Sequence, residues 1–121
     1  MYCGTDIVQV SRIQALAERH AASLPRFFTD QELAYCRKKD GTYRYESLAA
    51  IFAAKEALFK ALGTGFRQGT WKDVEVCHDE LGAPSFRFTG YYQAAVAKRA
   101  VQTPSLSLAH DGGYALAFVL L

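Results

Sequence analysis

The sequence predicts an α+β domain in which an antiparallel sheet packs against one long helix and several shorter ones. Two observations carry this. Apolar residues recur at helical spacing from about 46 to 62 and stop at Gly63, a residue suited to the turn that closes a helix. Beyond residue 70 the pattern changes to short alternating runs, paired around the turn clusters "DELGAP" and "HDGG". Helical and alternating patterns therefore come in blocks, as in an antiparallel sheet with helices packed against it. At 121 residues the chain is read as one domain, 1–121, long enough to bury a sizeable core.

In chain order, the first ten residues form a short strand, with Ile7, Val8 and Val10 apolar and an acid, Asp6, inside it. A helix follows from Ser11, whose hydroxyl suits an N-cap, through "RIQALAERHAA". A second start signal lies in "FFTDQELAYCRKK", where Thr29 and Glu32 have the spacing of a capping box. The long helix comes next. Then "WKDVEVCH" and "SFRFTG" make a hairpin, "GYYQAAVAKRAV" at 90–101 a short helix, and "SLSLAH" and "YALAFVLL" a second hairpin.

Composition excludes several classes. Half of the residues are hydrophobic and 21% are charged, too apolar for a disordered chain. The longest apolar run, "YALAFVLL", is too short to span a bilayer, and the first ten residues lack the pattern of a signal peptide, so a cytoplasmic protein is expected. Cys3, Cys36 and Cys77 are odd in number and lack metal-site spacing, which argues for buried thiols. The net charge is only +2, but Arg37, Lys38, Lys39 and Arg44 are concentrated in "CRKKDGTYRYE". That segment is either a solvated loop or a docking surface for phosphates or an acidic partner. It lacks the interleaved aromatics of a nucleic-acid platform, so nucleic acid is not expected.

The long helix carries the chemistry. On a helical wheel Leu48, Ile51, Phe52, Leu58, Phe59 and Leu62 share one arc, and Lys55 falls within it. Glu56 and Lys60 sit together on its flank. Either Lys55 snorkels to water while Glu56 and Lys60 form a surface pair worth ~0.2–0.5 kcal/mol, or the helix edge lines a pocket for something anionic and metal-bound. Asp6, an acid in an apolar strand, needs a partner, which backbone amides or a hard divalent cation could supply. The glycines of "GTGFRQGT" do not form a P-loop, because the segment follows its helix; Gly63 caps that helix, though such a turn can also approach phosphate. His110 ends an alternating strand at a tight turn, where a side chain is easily presented to a site; His20 and His78 read as structural or exposed. No serine or cysteine has a nucleophile context and no cluster suggests zinc.

Together, "GTDIVQVSRI", "FFTDQELAYC", "FAAKEALFKALGTG", "WKDVEV" and "SLSLAHDGGYALAFV" closely resemble the holo-acyl-carrier-protein synthases, the short single-domain type of 4′-phosphopantetheinyl transferase. The resemblance implies transfer of phosphopantetheine from coenzyme A to a serine of an apo acyl carrier protein, of fatty acid or polyketide synthesis, with magnesium as cofactor. It implies Asp6 and Glu56 as metal ligands, with Glu56 also activating the serine directly or through water. It places Lys60 and His110 in the catalytic and coenzyme A site, and Lys55, Gly63 and Gly65 in its phosphate-binding surroundings. The carrier is expected to be acidic and to dock on Arg12 and Arg19, with Arg26 and the 37–44 cluster as further candidates. A homotrimer with active sites between subunits is also implied. One position departs: the family usually carries an arginine where this chain has Ile51, and Arg44 or Lys39 is the expected substitute. The competing readings are a noncatalytic carrier-binding or nucleotide-binding module on the same scaffold, and a different magnesium-dependent phosphotransferase.

Overall fold

The computed structural model describes residues 2–100 and 102–121. Its elements follow the order β1 (Cys3–Gln9), α1 (Val10–Arg19), α2 (Leu24–Phe27), α3 (Asp30–Cys36), α4 (Tyr45–Ala61), β2 (Val74–His78), β3 (Pro84–Phe88), α5 (Gly90–Arg99), β4 (Ser105–Asp111) and β5 (Tyr114–Leu120). Val101, at the end of the helix expected over 90–101, lies outside the described residues. The strands form two antiparallel units, a three-stranded sheet in the order β1-β5-β4 and the separate hairpin β2-β3. The fold class is therefore α+β, with the strands divided between a sheet and a hairpin.

Local chemistry accounts for most boundaries. The capping box forms: the Glu32 amide donates to Thr29 Oγ1 at 3.2 Å and the Thr29 amide donates to Glu32 Oε1 at 2.8 Å. The first helix begins one residue before the expected Ser11 cap. Here β1 stays paired as far as Gln9 opposite Tyr114, and the Val10 amide still donates to Gly113 O at 2.9 Å. Strand pairing thus carries directly into the helix, and no side chain is needed as a cap.

Helix α4 is buried on nearly all sides. Leu48, Ile51, Phe52, Leu58 and Phe59 form the expected apolar arc, each side chain worth about 1.5–3 kcal/mol when removed from water. The opposite side consists of alanines, and it packs on β1 and β5. Close approach there depends on Gly4: a Cβ at that position would meet Ala57 O at 2.0 Å and Ala61 N at 2.8 Å. A small strand residue against small helix residues draws β1 onto the last turns of α4. That contact brings Asp6, two residues along the strand, to the helix flank that carries Glu56 and Lys60.

Candidate active site

Asp6 lies on the helix-facing side of β1, between Gly4 and Val8, and is 9% exposed. Its Oδ1 accepts from Lys60 Nζ at 2.9 Å, and the same ammonium donates to Thr5 O at 3.1 Å. The surface pair of Glu56 and Lys60, one of the two alternatives the sequence left open, does not form; the lysine reaches across to the strand, because the buried carboxylate offers the stronger field. Asp6 Oδ2 is buried and has no hydrogen-bond partner. Glu56 is half-buried beside it. Burial raises its pKa, the nearby Asp6 charge raises it further, and Lys60 and Arg12 act against both. Two carboxylates that repel one another, one with an orphaned oxygen, thus share a face with a lysine whose side chain is 54% exposed.

This donor set fits a hard divalent cation. An unpartnered carboxylate oxygen beside a second, destabilised carboxylate would be relieved by such an ion. Among the described residues no group of three or more His, Cys, Asp or Glu side chains forms a metal cage. A pair is what magnesium requires, since it keeps waters and takes substrate oxygens for the rest of its shell.

Lys55 belongs elsewhere. It neither snorkels to water nor reaches the ligand-facing flank; it is fully buried and donates to Glu32 Oε1 at 2.7 Å, Phe27 O at 2.7 Å and Trp71 O at 3.2 Å. All three of its protons are used. Glu32 is equally buried, and besides Lys55 it accepts from the Thr29 and Val76 amides. Lys55 is therefore a structural cation that ties α4 to the end of α2, to α3 and to the segment before β2, not a phosphate contact.

Gly63 and Gly65 adopt positive φ, 83° and 65°, but their amides are already engaged, donating to Lys60 O and Phe59 O as the helix closes. Those two N–H groups are not free to cradle phosphate. His110 stands apart from the carboxylates as well. It shares the helix-facing side of the sheet with Asp6, yet the two lie on opposite edge strands, β4 and β1, with β5 between them. Two strand spacings separate the backbones by about 10 Å across the sheet. One chain does not bring His110 together with Asp6, Glu56 and Lys60.

His110 instead lines a cavity of about 220 Å³ with Tyr35, Ser47, Ala50, His78 and Pro84. The rings of Tyr35 and His78 stack at 3.9 Å and 4°. Arg44 lies over the Tyr35 ring as well, its guanidinium 4.9 Å from the ring centre and donating to Tyr35 O. Burial, then the Arg44 charge, lowers the His78 pKa against the opposing pull of Asp79, and the lowered value favours the neutral imidazole. Lys39 is placed elsewhere, beside Leu33, Ala34 and Lys38. Ile51 is 1% exposed and is core.

Sequence reasoning missed Tyr35 and His78 as neighbours of His110, and no spacing signal could have revealed them, because they come from three separate elements. It also missed that Arg12 lies near enough to Glu56 to lower its pKa. The clue was available in the paired patterns of the two amphipathic helices, but not the direction in which one crosses the other.

A family model described as the 4′-phosphopantetheinyl transferase superfamily matches residues 2–119. The chain is 42% identical over 120 residues to a holo-[acyl-carrier-protein] synthase of Geotalea daltonii, covering 98% of this chain and 94% of that protein. It is 36% identical over 120 residues to a protein of the same name from Caldanaerobacter subterraneus, covering 99% and 93%. Among solved structures, the holo-[acyl-carrier-protein] synthase of Helicobacter pylori in complex with coenzyme A superposes with a TM-score of 0.82 at 31% identity, covering 98% of this chain and 97% of that one. The Neisseria meningitidis synthase gives 0.81 at 33%, covering 98% and 94%. With the family's fold and matching sequence along nearly its whole length, this chain belongs to the 4′-phosphopantetheinyl transferase superfamily.

Proposed function

We propose that this protein transfers 4′-phosphopantetheine from coenzyme A to a serine of an apo acyl carrier protein, releasing adenosine 3′,5′-bisphosphate. The observation that carries the reading is the shared face of Asp6, with its orphaned oxygen, Glu56 and Lys60. The names of the relatives and the coenzyme A bound to the Helicobacter pylori protein support the same substrates.

Asp6 and Glu56 would hold magnesium, which when bound neutralises pyrophosphate charge and orients it for displacement. Lys60 has one donor left after Thr5 O and Asp6, and that donor can reach a phosphate oxygen at the open side of the face. In the transfer, the serine Oγ forms a bond to the phosphorus that carries pantetheine as the bridging P–O bond breaks. The serine proton passes to Glu56 directly or through water, and the adenosine bisphosphate leaves with the bonding pair. No covalent intermediate with the protein is needed, because phosphoryl-type transfer depends on positioning and charge stabilisation.

His110, which lines the cavity across the sheet, and Arg44, which covers the Tyr35 of its wall, would hold the nucleotide end of coenzyme A. Since one chain keeps them apart from Asp6 and Glu56, a complete site would combine two chains, as in the expected homotrimer. The outer face of the three-stranded sheet favours self-association: Ile7, Tyr114, Leu116 and Phe118 are all exposed there. Arg12 and Arg19 lie seven residues apart on the exposed side of α1, with Arg12 near Glu56, and would dock an acidic carrier so that its serine enters beside the general base. No described helix is long and apolar enough to cross a membrane, and the reading places the enzyme in the cytoplasm, in the service of fatty acid or polyketide synthesis.

The test is intact mass spectrometry of an apo carrier protein incubated with coenzyme A, magnesium and this protein. A gain of one phosphopantetheine is expected. An unchanged carrier mass at high enzyme concentration would favour the noncatalytic binding module.

A further inference from the structure

We propose that Lys60 is a resident counter-ion of Asp6 which passes to a coenzyme A phosphate on binding, so that the divalent cation and coenzyme A enter this site as one coupled event; the identity of the two ligands rests on the proposed function. The contrast between the two ion pairs of α4 carries the inference. Lys55 and Glu32 are both fully buried, and all three lysine protons are used. Lys60 and Asp6 are built differently. The carboxylate side chain is 10% exposed and the lysine side chain 54%. The ammonium donates to Asp6 Oδ1 and Thr5 O, while its third proton and Asp6 Oδ2 have no partner among the described residues. The pair is therefore left incomplete on both sides.

These differences set how charge is exchanged at the site. A buried carboxylate must keep a cation, because an isolated ionised group there is costly, and among the described residues Lys60 is the one cation paired with Asp6. The ammonium is free to leave, since it sits on a flexible four-carbon stem that lies half in solvent and can swing without moving α4. While Lys60 holds Oδ1, a second cation brought to Oδ2 meets a like charge on the same carboxylate, so the free protein binds a divalent cation weakly. A pyrophosphate removes that obstacle. It draws the ammonium through its spare proton, and Asp6 then has both oxygens available for a hard cation. Each ligand prepares the site for the other, and by linkage the gain is the same whichever binds first. Arg12, the other cation near this face, acts on Glu56 and forms no pair with Asp6, so it takes no part in the exchange.

The experiment titrates manganese, read from the electron paramagnetic resonance signal of the free ion, into wild type, Lys60→Met and Arg12→Gln, with and without coenzyme A. In wild type coenzyme A is expected to tighten manganese binding about tenfold or more, within the ordinary range of coupling between sites. Without coenzyme A, Lys60→Met is expected to bind manganese about tenfold more tightly than wild type and Arg12→Gln to stay within about threefold; adding Asp6→Asn to Lys60→Met should abolish the gain. Lys60→Gln, which keeps a donor but no charge, should change in the same direction and serves if the methionine variant does not fold. Thermal melting gives a second readout: Lys60→Met should melt below wild type in chelator, because Asp6 is left buried alone, and manganese should raise its melting temperature by more than that of wild type. Lysine variants that bind manganese no more tightly than wild type overturn the proposal. So does an equal gain in Arg12→Gln, or a wild-type manganese affinity indifferent to coenzyme A. Because binding is read without a carrier protein, a wild type that shows the coupling but transfers nothing would defeat the proposed function and leave this result standing.

Discussion

Replacing Lys55 with methionine keeps the length of the side chain and removes its charge from the middle of α4. Three hydrogen bonds disappear, to Glu32, Phe27 O and Trp71 O, and the Glu32 carboxylate is left fully buried with only the Thr29 and Val76 amides as donors. Removing one partner from a buried ion pair costs about 3–5 kcal/mol, a large part of the roughly 5–15 kcal/mol that holds a domain of this size. Adding Glu32→Gln to the same chain removes the stranded charge and keeps an acceptor, so about 2 kcal/mol should return. The pH dependence has a definite sign. Burial already raises the Glu32 pKa against the opposing pull of Lys55, and without Lys55 it rises further. A carboxyl whose folded pKa exceeds its unfolded value, about 4.3, is stabilising when protonated and loses that contribution as pH rises through the folded value. Urea unfolding of Lys55→Met should therefore show a smaller deficit at pH 5 than at pH 8. A loss below about 1 kcal/mol at pH 7, or a deficit equal at both pH values, would refute the assignment of Lys55 as a buried structural cation.

Two further outcomes concern the active face and the nucleotide cavity. In the metal-free protein, Glu56→Gln should raise the melting temperature at pH 7–8, because the charged form of Glu56 is disfavoured by burial and by Asp6; near pH 3, well below the unfolded value of about 4.3, where the carboxyl is protonated in both folded and unfolded chains, the gain should vanish, and magnesium at pH 7–8 should stabilise wild type more than the variant. Thermal scans at the two pH values, with and without magnesium, check this. Arg44→Ala should weaken coenzyme A by about 1–3 kcal/mol and a coenzyme A lacking the 3′-phosphate by much less, if Arg44 supplies the cation that Ile51 does not; calorimetry with both ligands gives the answer, and equal losses would leave Ile51 uncompensated.

What could be read from the sequence was whatever depends on neighbours along the chain. Thr29 and Glu32 meet because a helix start fixes their spacing, and Gly63 ends α4 because only a residue tolerant of positive φ closes that turn cheaply. The two hairpins followed from alternation around turn residues. Periodicity also placed Lys55 on the buried arc, but it reports a face and not a partner, so nothing local revealed Glu32, 23 residues upstream, as the group that neutralises it. For the same reason a surface pair of Lys60 with Glu56, one turn away, was one of two readings left open, and Lys60 pairs with Asp6 instead, across 54 residues of sequence. The alanine side of α4 gave no signal of its own, since small residues read as neutral until Gly4 is seen against them. His110 was singled out correctly as a side chain at a strand end. Its distance from Asp6 depends on strand order, and β5 lies between them because the C-terminal strand pairs with the N-terminal one.

The most direct measurement is the rate of phosphopantetheine transfer by intact mass spectrometry, at saturating coenzyme A and carrier, as magnesium is titrated into wild type, Asp6→Asn and Glu56→Gln. If the face formed by Asp6, Glu56 and Lys60 performs the reaction, wild type responds to magnesium and each variant falls by at least about 100-fold, the scale of a lost general base or metal ligand. Variants that stay folded and keep turnover within a few-fold of wild type at limiting magnesium would contradict it.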